Sequence, residues 1–311
     1  MERSEEMPVQ SQIVREKFNE RWSEYAKGFE DFKAKMNDPE HVVHGEVTIS
    51  QVHRAMLTDR HIIASYPKGS RIIEAACGNG FNSCYLASLG YGVRAFDVSD
   101  TAVEKAERLA ADLGMAQGMH RLSDHGFLGT LEDKSVDVVI ALGLMRYLDD
   151  NARDYIYKEA ARVLRPGGVL IVSNDNLLFE MFALNEGTIR FWSETIAAFS
   201  GADKLFPGRK LEDVLAENYP LPKRQYAAHS VSKNIKRHSE NPLEFHKLAE
   251  RYGFRLEKIA YPDSHMLPPL LEKKVDTTEL EKLKARYCLE RAEGDWRAMF
   301  MGSEFLAFMQ R

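Results

Sequence analysis

Two carboxylates and two glycines stand at spacings that suit ligand binding: Glu74, Gly78, Gly80 and Asp97. The run Glu74-Ala-Ala-Cys-Gly-Asn-Gly80 follows a short apolar stretch and precedes a helical one. Glycines there let the backbone approach a ligand without a Cβ in the way. The start of the following helix favours polar or anionic groups. Asp97 closes the next apolar stretch, where a carboxylate can accept hydrogen bonds from both hydroxyls of a ribose. Asp124 follows a third such stretch, within reach of a base edge.

The elements that must position these residues read as an alternation. Strands are expected over Arg71–Glu74, Gly92–Phe96, Met119–Leu122, Val136–Leu142 and Val169–Ser173. Helices are expected up to Leu89, over Thr101–Leu113 and over Ala152–Leu164, the last stopped by Pro166-Gly-Gly168. Ala102, Val103, Ala106, Leu109 and Ala110 share a helix face. The fourth strand is apolar along its length, as in a sheet covered on both faces. Short turns between strand and helix imply a parallel, helix-covered sheet.

Ahead of this core, 1–66 read as a helical extension or lid. Ile13, Phe18, Trp22, Tyr25 and Phe29 form one apolar stripe and Val52, Met56, Ile62 and Ile63 another. Both stripes suit packing on the core, and the first helix is a candidate to close over a ligand. The alternation spans 67–175 and breaks off at 176. Residues 176–240 read as a substrate-cover insertion, with helical pieces (Leu177–Leu184, Ile189–Phe199), proline turns and a basic cluster of Lys223, Arg224, Lys233, Lys236, Arg237 and His238 that suits an anionic acceptor or a solvated surface. The pattern resumes over 241–311 with a helix (Pro242–Tyr252) and strands (Phe254–Ala260, Glu304–Met309), around a second insertion at 262–300.

Composition narrows the classes. Hydrophobic residues at 44% give a sizeable core and exclude wholesale disorder. A net charge of −5 argues against a protein that wraps nucleic acid by neutralising phosphates. Cys77, Cys84 and Cys288 are too few and too irregular for a disulfide framework, and no Cys-x-x-Cys suggests zinc. His41 and His44 read as solvent or substrate-side groups, so no metal is expected. The first residues lack a signal-peptide core and the apolar runs are strand-length, so a cytoplasmic protein without membrane partners is expected.

The glycine turn and Asp97 permit NAD or S-adenosylmethionine. Dinucleotide loops hold pyrophosphate on closely spaced glycines, and here the first-glycine position is Ala76. Glu74 suits a ligand bearing an ammonium group, which NAD lacks. The run 74–80 resembles the first motif of class I S-adenosylmethionine-dependent methyltransferases, whose form is acid-x-Gly-x-Gly-x-Gly. Phe96-Asp97-Val98-Ser99 resembles the second motif, 135–147 the fourth-strand motif, and Val163–Leu170 the turn before the fifth strand. The resemblance covers about 68–175. It implies an α/β, Rossmann-like, mostly parallel seven-stranded sheet with helices on both faces. It also implies S-adenosylmethionine as cofactor. Glu74 is then placed at the methionine end, Ala76, Gly78 and Gly80 along the backbone, Asp97 on ribose, Val98 on adenine, Asp124 and His125 at the adenine amino group, and Ala141 with its carbonyl on the ammonium.

Methyl transfer is an in-line displacement, in which the protein aligns the nucleophile and excludes water. The methyl projects beyond the carboxyl ends of the strands, which points to Arg146 and Tyr147 after the fourth strand and Asn174 after the fifth. An arginine there suits a carboxylate or phosphate, and a tyrosine can align a nucleophile. His265 is a further candidate base, or an exposed loop histidine. The Asn/Asp-Pro-Pro-Tyr/Phe signature of nucleic-acid amino-methyltransferases is absent, so the expected acceptor is a small polar metabolite, carboxylate-bearing or a thioether. The alternatives are a sugar or cell-envelope glycan hydroxyl, and a non-catalytic adenosine-binding protein of the same fold.

Overall fold

The computed structural model describes residues 15–19, 28–38, 48–115, 117–224 and 237–311. Its sheet contains β1 (Arg71–Ala75), β2 (Gly92–Asp97), β3 (His120–Leu122), β4 (Val136–Ala141), β5 (Leu164–Asn176), β6 (Ser239–Glu240), β7 (Arg255–Ala260) and β8 (Glu304–Gln310). The order is β3-β2-β1-β4-β5-β8-β7, with the two-residue β6 paired to the end of β5. The first five strands are mutually parallel; β8 runs antiparallel between β5 and β7. The expected seven strands are present, and β6 makes an eighth that carries no apolar pattern.

Period-two alternation sends side chains to two cores. Ile73, Val139, Leu170 and Ala307 pack against Ile156 and Ala160 of α5 (Asp150–Val163) and Phe245 and Ala249 of α6 (Phe245–Arg251). Ile72, Val138, Ile171 and Phe308 face the other layer. That layer holds Phe29 and Phe32 of α1 (Phe29–Asn37), Val52 and Ile62 of α2 (Ile49–Ser65), Leu86 of α3 (Phe81–Ser88) and Cys288 of α7 (Thr277–Arg291). Helix starts follow local chemistry. Thr48 and Gln51 form a capping box on α2, and Ser99 caps α4 (Asp100–Asp112).

Two expectations are corrected. β5 begins at Leu164 and continues through Pro166-Gly-Gly168 to Asn176, so these residues extend the strand as well as ending α5. The piece expected as a helix over Ile189–Phe199 is wound as a π-helix over Phe191–Ala197. His41, His44, Lys233 and Lys236 lie outside the described residues.

Gly80 stands at the seam of α3, α4 and β3 with φ +77°. A Cβ there would lie 2.7 Å from the Ala106 Cβ and 2.8 Å from His120 Nε2, an atom already 2.7 Å from Ser83 Oγ. Gly80→Ala therefore combines a left-handed penalty of about 1–2 kcal/mol with overpacking of about 1–3 kcal/mol. Urea unfolding of this variant should show a loss of at least about 2 kcal/mol.

Candidate functional site

A cavity of about 450 Å³ opens at the carboxyl ends of β1, β2 and β4. Strand order explains its position: β1 pairs β2 on one side and β4 on the other, so the connections leaving β1 and β4 part and leave a crevice. Its walls include Glu74, Ala76, Gly78, Asp97, Val98, Asp124, His125, Arg146 and Tyr147.

Asp97 ends β2 and is buried. Its Oδ2 accepts Gly78 N–H at 2.9 Å and its Oδ1 accepts Ser99 N–H at 2.9 Å. Burial raises its pKa against the pull of these bonds. Each oxygen retains acceptor capacity toward the cavity. Asp124 caps the turn His125–Thr130 by accepting Gly126 N–H at 2.8 Å, and His125 packs edge-on against Tyr155.

Glu74 ends the apolar stretch of β1 and is buried. Its Oε1 accepts from Asn82 Nδ2 at 3.1 Å, while its buried Oε2 has no partner among the described residues. Burial pushes its carboxyl up to about 7. Asp59 of α2, buried with both oxygens unpartnered among the described residues, is also raised by burial and by Glu74. A cationic ligand group at Glu74 would relieve this. The ammonium of S-adenosylmethionine fits that orphaned oxygen, and the vicinal ribose hydroxyls fit Asp97.

Four expected assignments are corrected. Gly80 does not line the cavity; it serves the helix seam. Ala141 is sealed at the end of β4, and Leu142 and Gly143 take the cavity wall in its place. Asn174 is buried off the cavity, on the side of β5 away from Ser173, with its Nδ2 unpartnered among the described residues. Arg146 does line the cavity, but it is no open anion fork. One terminal nitrogen lies 2.8 Å from Asp175 and the other bonds Glu304. Burial opposes its charge, yet these two carboxylates outweigh it and raise its pKa. Arg237, from the expected basic cluster, also pairs with Asp175. His265 is only partly exposed, bonded through Nδ1 to Glu272 at 2.8 Å and stacked near Phe179. Tyr147 lies on the cavity with its ring edge-on to Phe18.

Several wall residues carried no motif. Gln51 and Arg54 come from α2, Asp263 follows β7, and Glu304 opens β8. Asp263 follows the same acid-after-strand pattern as Asp97. Glu304 becomes legible only once β8 is known to be antiparallel, which puts its first residue at the carboxyl edge. Among the described residues of the 176–240 insertion none lines the cavity; the opposite wall comes from Phe18, Phe32, Thr48 and α2.

The fold and this site define a Rossmann-like domain built for an adenosine-bearing ligand with an ammonium group. Residues 73–172 match the family described as a methyltransferase domain. A ubiquinone biosynthesis O-methyltransferase of Cupriavidus pinatubonensis is 31% identical over 108 residues, 35% of this chain and 42% of that protein. A probable S-adenosylmethionine-dependent methyltransferase of Mycobacterium tuberculosis is 34% identical over 105 residues, 34% of this chain and 35% of that one. The match thus spans less than half the length of these relatives. A magnesium protoporphyrin IX methyltransferase of Synechocystis, solved with bound SAH, aligns over 97% of this chain and 99% of that one at 16% identity and a TM-score of 0.49.

Two predictions follow from the charges. An ammonium favours ionised Glu74, so ligand binding lowers that pKa and releases a proton. Calorimetric affinity for S-adenosylhomocysteine should rise by up to about tenfold per pH unit below about pH 7 and level off above it. Glu74→Gln should flatten the profile. Arg146→Ala leaves two buried carboxylates short of a partner and should cost about 3 kcal/mol in urea unfolding.

Proposed function

We propose that the chain as a whole is an S-adenosylmethionine-dependent methyltransferase acting on a small polar acceptor. The observation that carries this reading is the buried, unpartnered Oε2 of Glu74 on the same cavity as Asp97. An unpartnered acid there suits a ligand that brings its own ammonium group, and methyl transfer is the chemistry that S-adenosylmethionine supplies.

S-adenosylmethionine supplies an electrophilic methyl on a sulfonium. In this reading Asp97 and Gly78 hold its ribose, Val98 packs on adenine, Asp124 and His125 meet the adenine edge, and Glu74 holds the ammonium. Leu142 and Gly143 take the backbone role first given to Ala141. Phe18, Phe32, Phe81 and Tyr147 bring aromatic surface to the cavity and limit water around the methyl. Tyr147 aligns the acceptor. Arg146 acts through Asp175 and Glu304, holding the wall in shape, so a carboxylate on the acceptor has no evident fork there. The O-methyltransferase names of the Cupriavidus relative and others like it favour oxygen as the methylated atom.

The test is direct. S-adenosylhomocysteine should bind in calorimetry with micromolar-order affinity, and NAD should give no heat. Asp97→Asn removes charge-assisted bonds of about 1.5–3 kcal/mol, so the affinity of the folded protein should drop by about ten- to a hundredfold, with some loss of stability because one of the Gly78 and Ser99 N–H groups loses its acceptor. Binding of NAD alone would overturn the reading.

A further inference from the structure

Beyond the cofactor's needs the cavity wall holds, among the described residues, one partly buried acid with an open oxygen. The sheet order fixes which end of the crevice is which. Adenosine belongs at β2 and β3, methionine between β1 and β4, and the acceptor toward β5, β8 and β7. On that last side the wall contains Arg54, Arg146, Asp263 and Glu304. Glu304 is consumed: Arg54 reaches its Oε1 at 3.2 Å and its Oε2 at 3.0 Å, and Arg146 bonds Oε2 as well. Asp149 is exposed to solvent and gives one oxygen to the cap of α5, accepting Ala152 N–H at 2.9 Å.

Asp263 differs. Ser303 donates its hydroxyl to Oδ2, and no hydrogen bond reaches Oδ1 among the described residues. Its side chain keeps 24% of its surface, and that surface meets the cavity. Behind it His265 Nε2 stands 4.0 Å from Oδ2. The other ring nitrogen bonds Glu272 at 2.8 Å, and Lys284 lies 2.8 Å from the same Glu272 oxygen. His53 Nδ1 donates to the carbonyl of Pro262, next to Asp263 in the chain, at 3.2 Å. The carboxylate is therefore clamped from behind and open in front. Burial alone would raise its pKa, but His265, Lys284 and Ser303 outweigh that and keep it ionised.

Resting on the methyltransferase reading, we propose that Asp263 takes the proton of the acceptor's attacking hydroxyl, and that the acceptor is an alcohol or phenol. A lone pair of the hydroxyl oxygen forms the new C–O bond as the S–CH₃ bond breaks, its electron pair going to sulfur. The O–H proton passes to Asp263 Oδ1, and the O–H electrons stay on oxygen. The products are a methyl ether, a neutral thioether and a protonated Asp263 that returns its proton to water as product leaves. Low basicity is no obstacle. An oxygen becomes strongly acidic as it is alkylated, so a late transfer to an ionised carboxylate is downhill. A thioether acceptor carries no proton and would leave Oδ1 without a purpose.

The experiment uses methyl-tritiated S-adenosylmethionine with catechol, 4-hydroxybenzoate, methyl glucoside and dimethyl sulfide, and normalises turnover to S-adenosylhomocysteine-binding sites. Label should enter at least one hydroxyl probe. On that probe Asp263→Asn should lower kcat about 100-fold, with S-adenosylhomocysteine affinity within twofold. Asp263→Glu should recover part of the loss, and the solvent deuterium isotope effect on kcat should vanish in the Asn variant. Label entering dimethyl sulfide alone or no probe, or an Asn variant within twofold of wild type, overturns the proposal. Failure of the wild-type protein to bind S-adenosylhomocysteine would instead remove the methyltransferase reading itself.

Discussion

An alternating chain of charges holds the carboxyl edge of the sheet together. Arg54 pairs with Glu304, Glu304 with Arg146, Arg146 with Asp175 and Asp175 with Arg237. These five residues come from α2, the start of β8, the turn after β4, the end of β5 and the return from the 176–240 insertion. Each charge is substantially buried and each has an opposite neighbour, which is the condition for such groups to be tolerated away from water. The chain ties one wall of the cavity to the one antiparallel strand. His238 N–H adds a bond of 2.9 Å to the Arg146 carbonyl, so the insertion is anchored at the crevice without any of its described residues lining it.

Against that compensated edge, Glu74 and Asp59 are uncompensated. Burial raises both carboxyls, and neither has a positive partner among the described residues. The contrast separates structural charge from charge kept for a ligand. Where the protein needs rigidity, acids and bases alternate; where it needs a cation from outside, acid stands alone.

Much of this was legible in the sequence because strand ends and glycine turns carry local signals. The parallel core from Arg71 to Ser173 follows from apolar runs, caps and turns, and the acids Glu74 and Asp97 fall where strand ends must converge. Asp124, Val98 and Tyr147 share that logic. The misses have a common cause: they depend on tertiary pairing. Arg146 has the same composition whether its guanidinium is free or paired, and only the arrival of Glu304 from the far end of the chain decides it. Gly80 looks like a ligand glycine until α4 and His120 are brought against it. Asn174 and Ala141 sit near the right edge but face inward, a matter of one residue of register. Asp263 carries the strand-end signal, but the β7 end is recognisable as part of the site only after β8 is inserted beside β5.

That insertion constrains the order of assembly. β8 is the last strand in sequence, yet it lies between β5 and β7 and pairs with both. A nascent chain that has emerged through β7 has no strand for β7 to pair with, only α6 to pack on, and the long apolar edge of β5 remains open. Unpaired edges of this kind recruit foreign strands. During synthesis the protein therefore passes through an interval, lasting until β8 leaves the ribosome, in which an apolar strand edge is exposed. Chaperone dependence should concentrate in that interval, and slower translation between β7 and β8 would lengthen it.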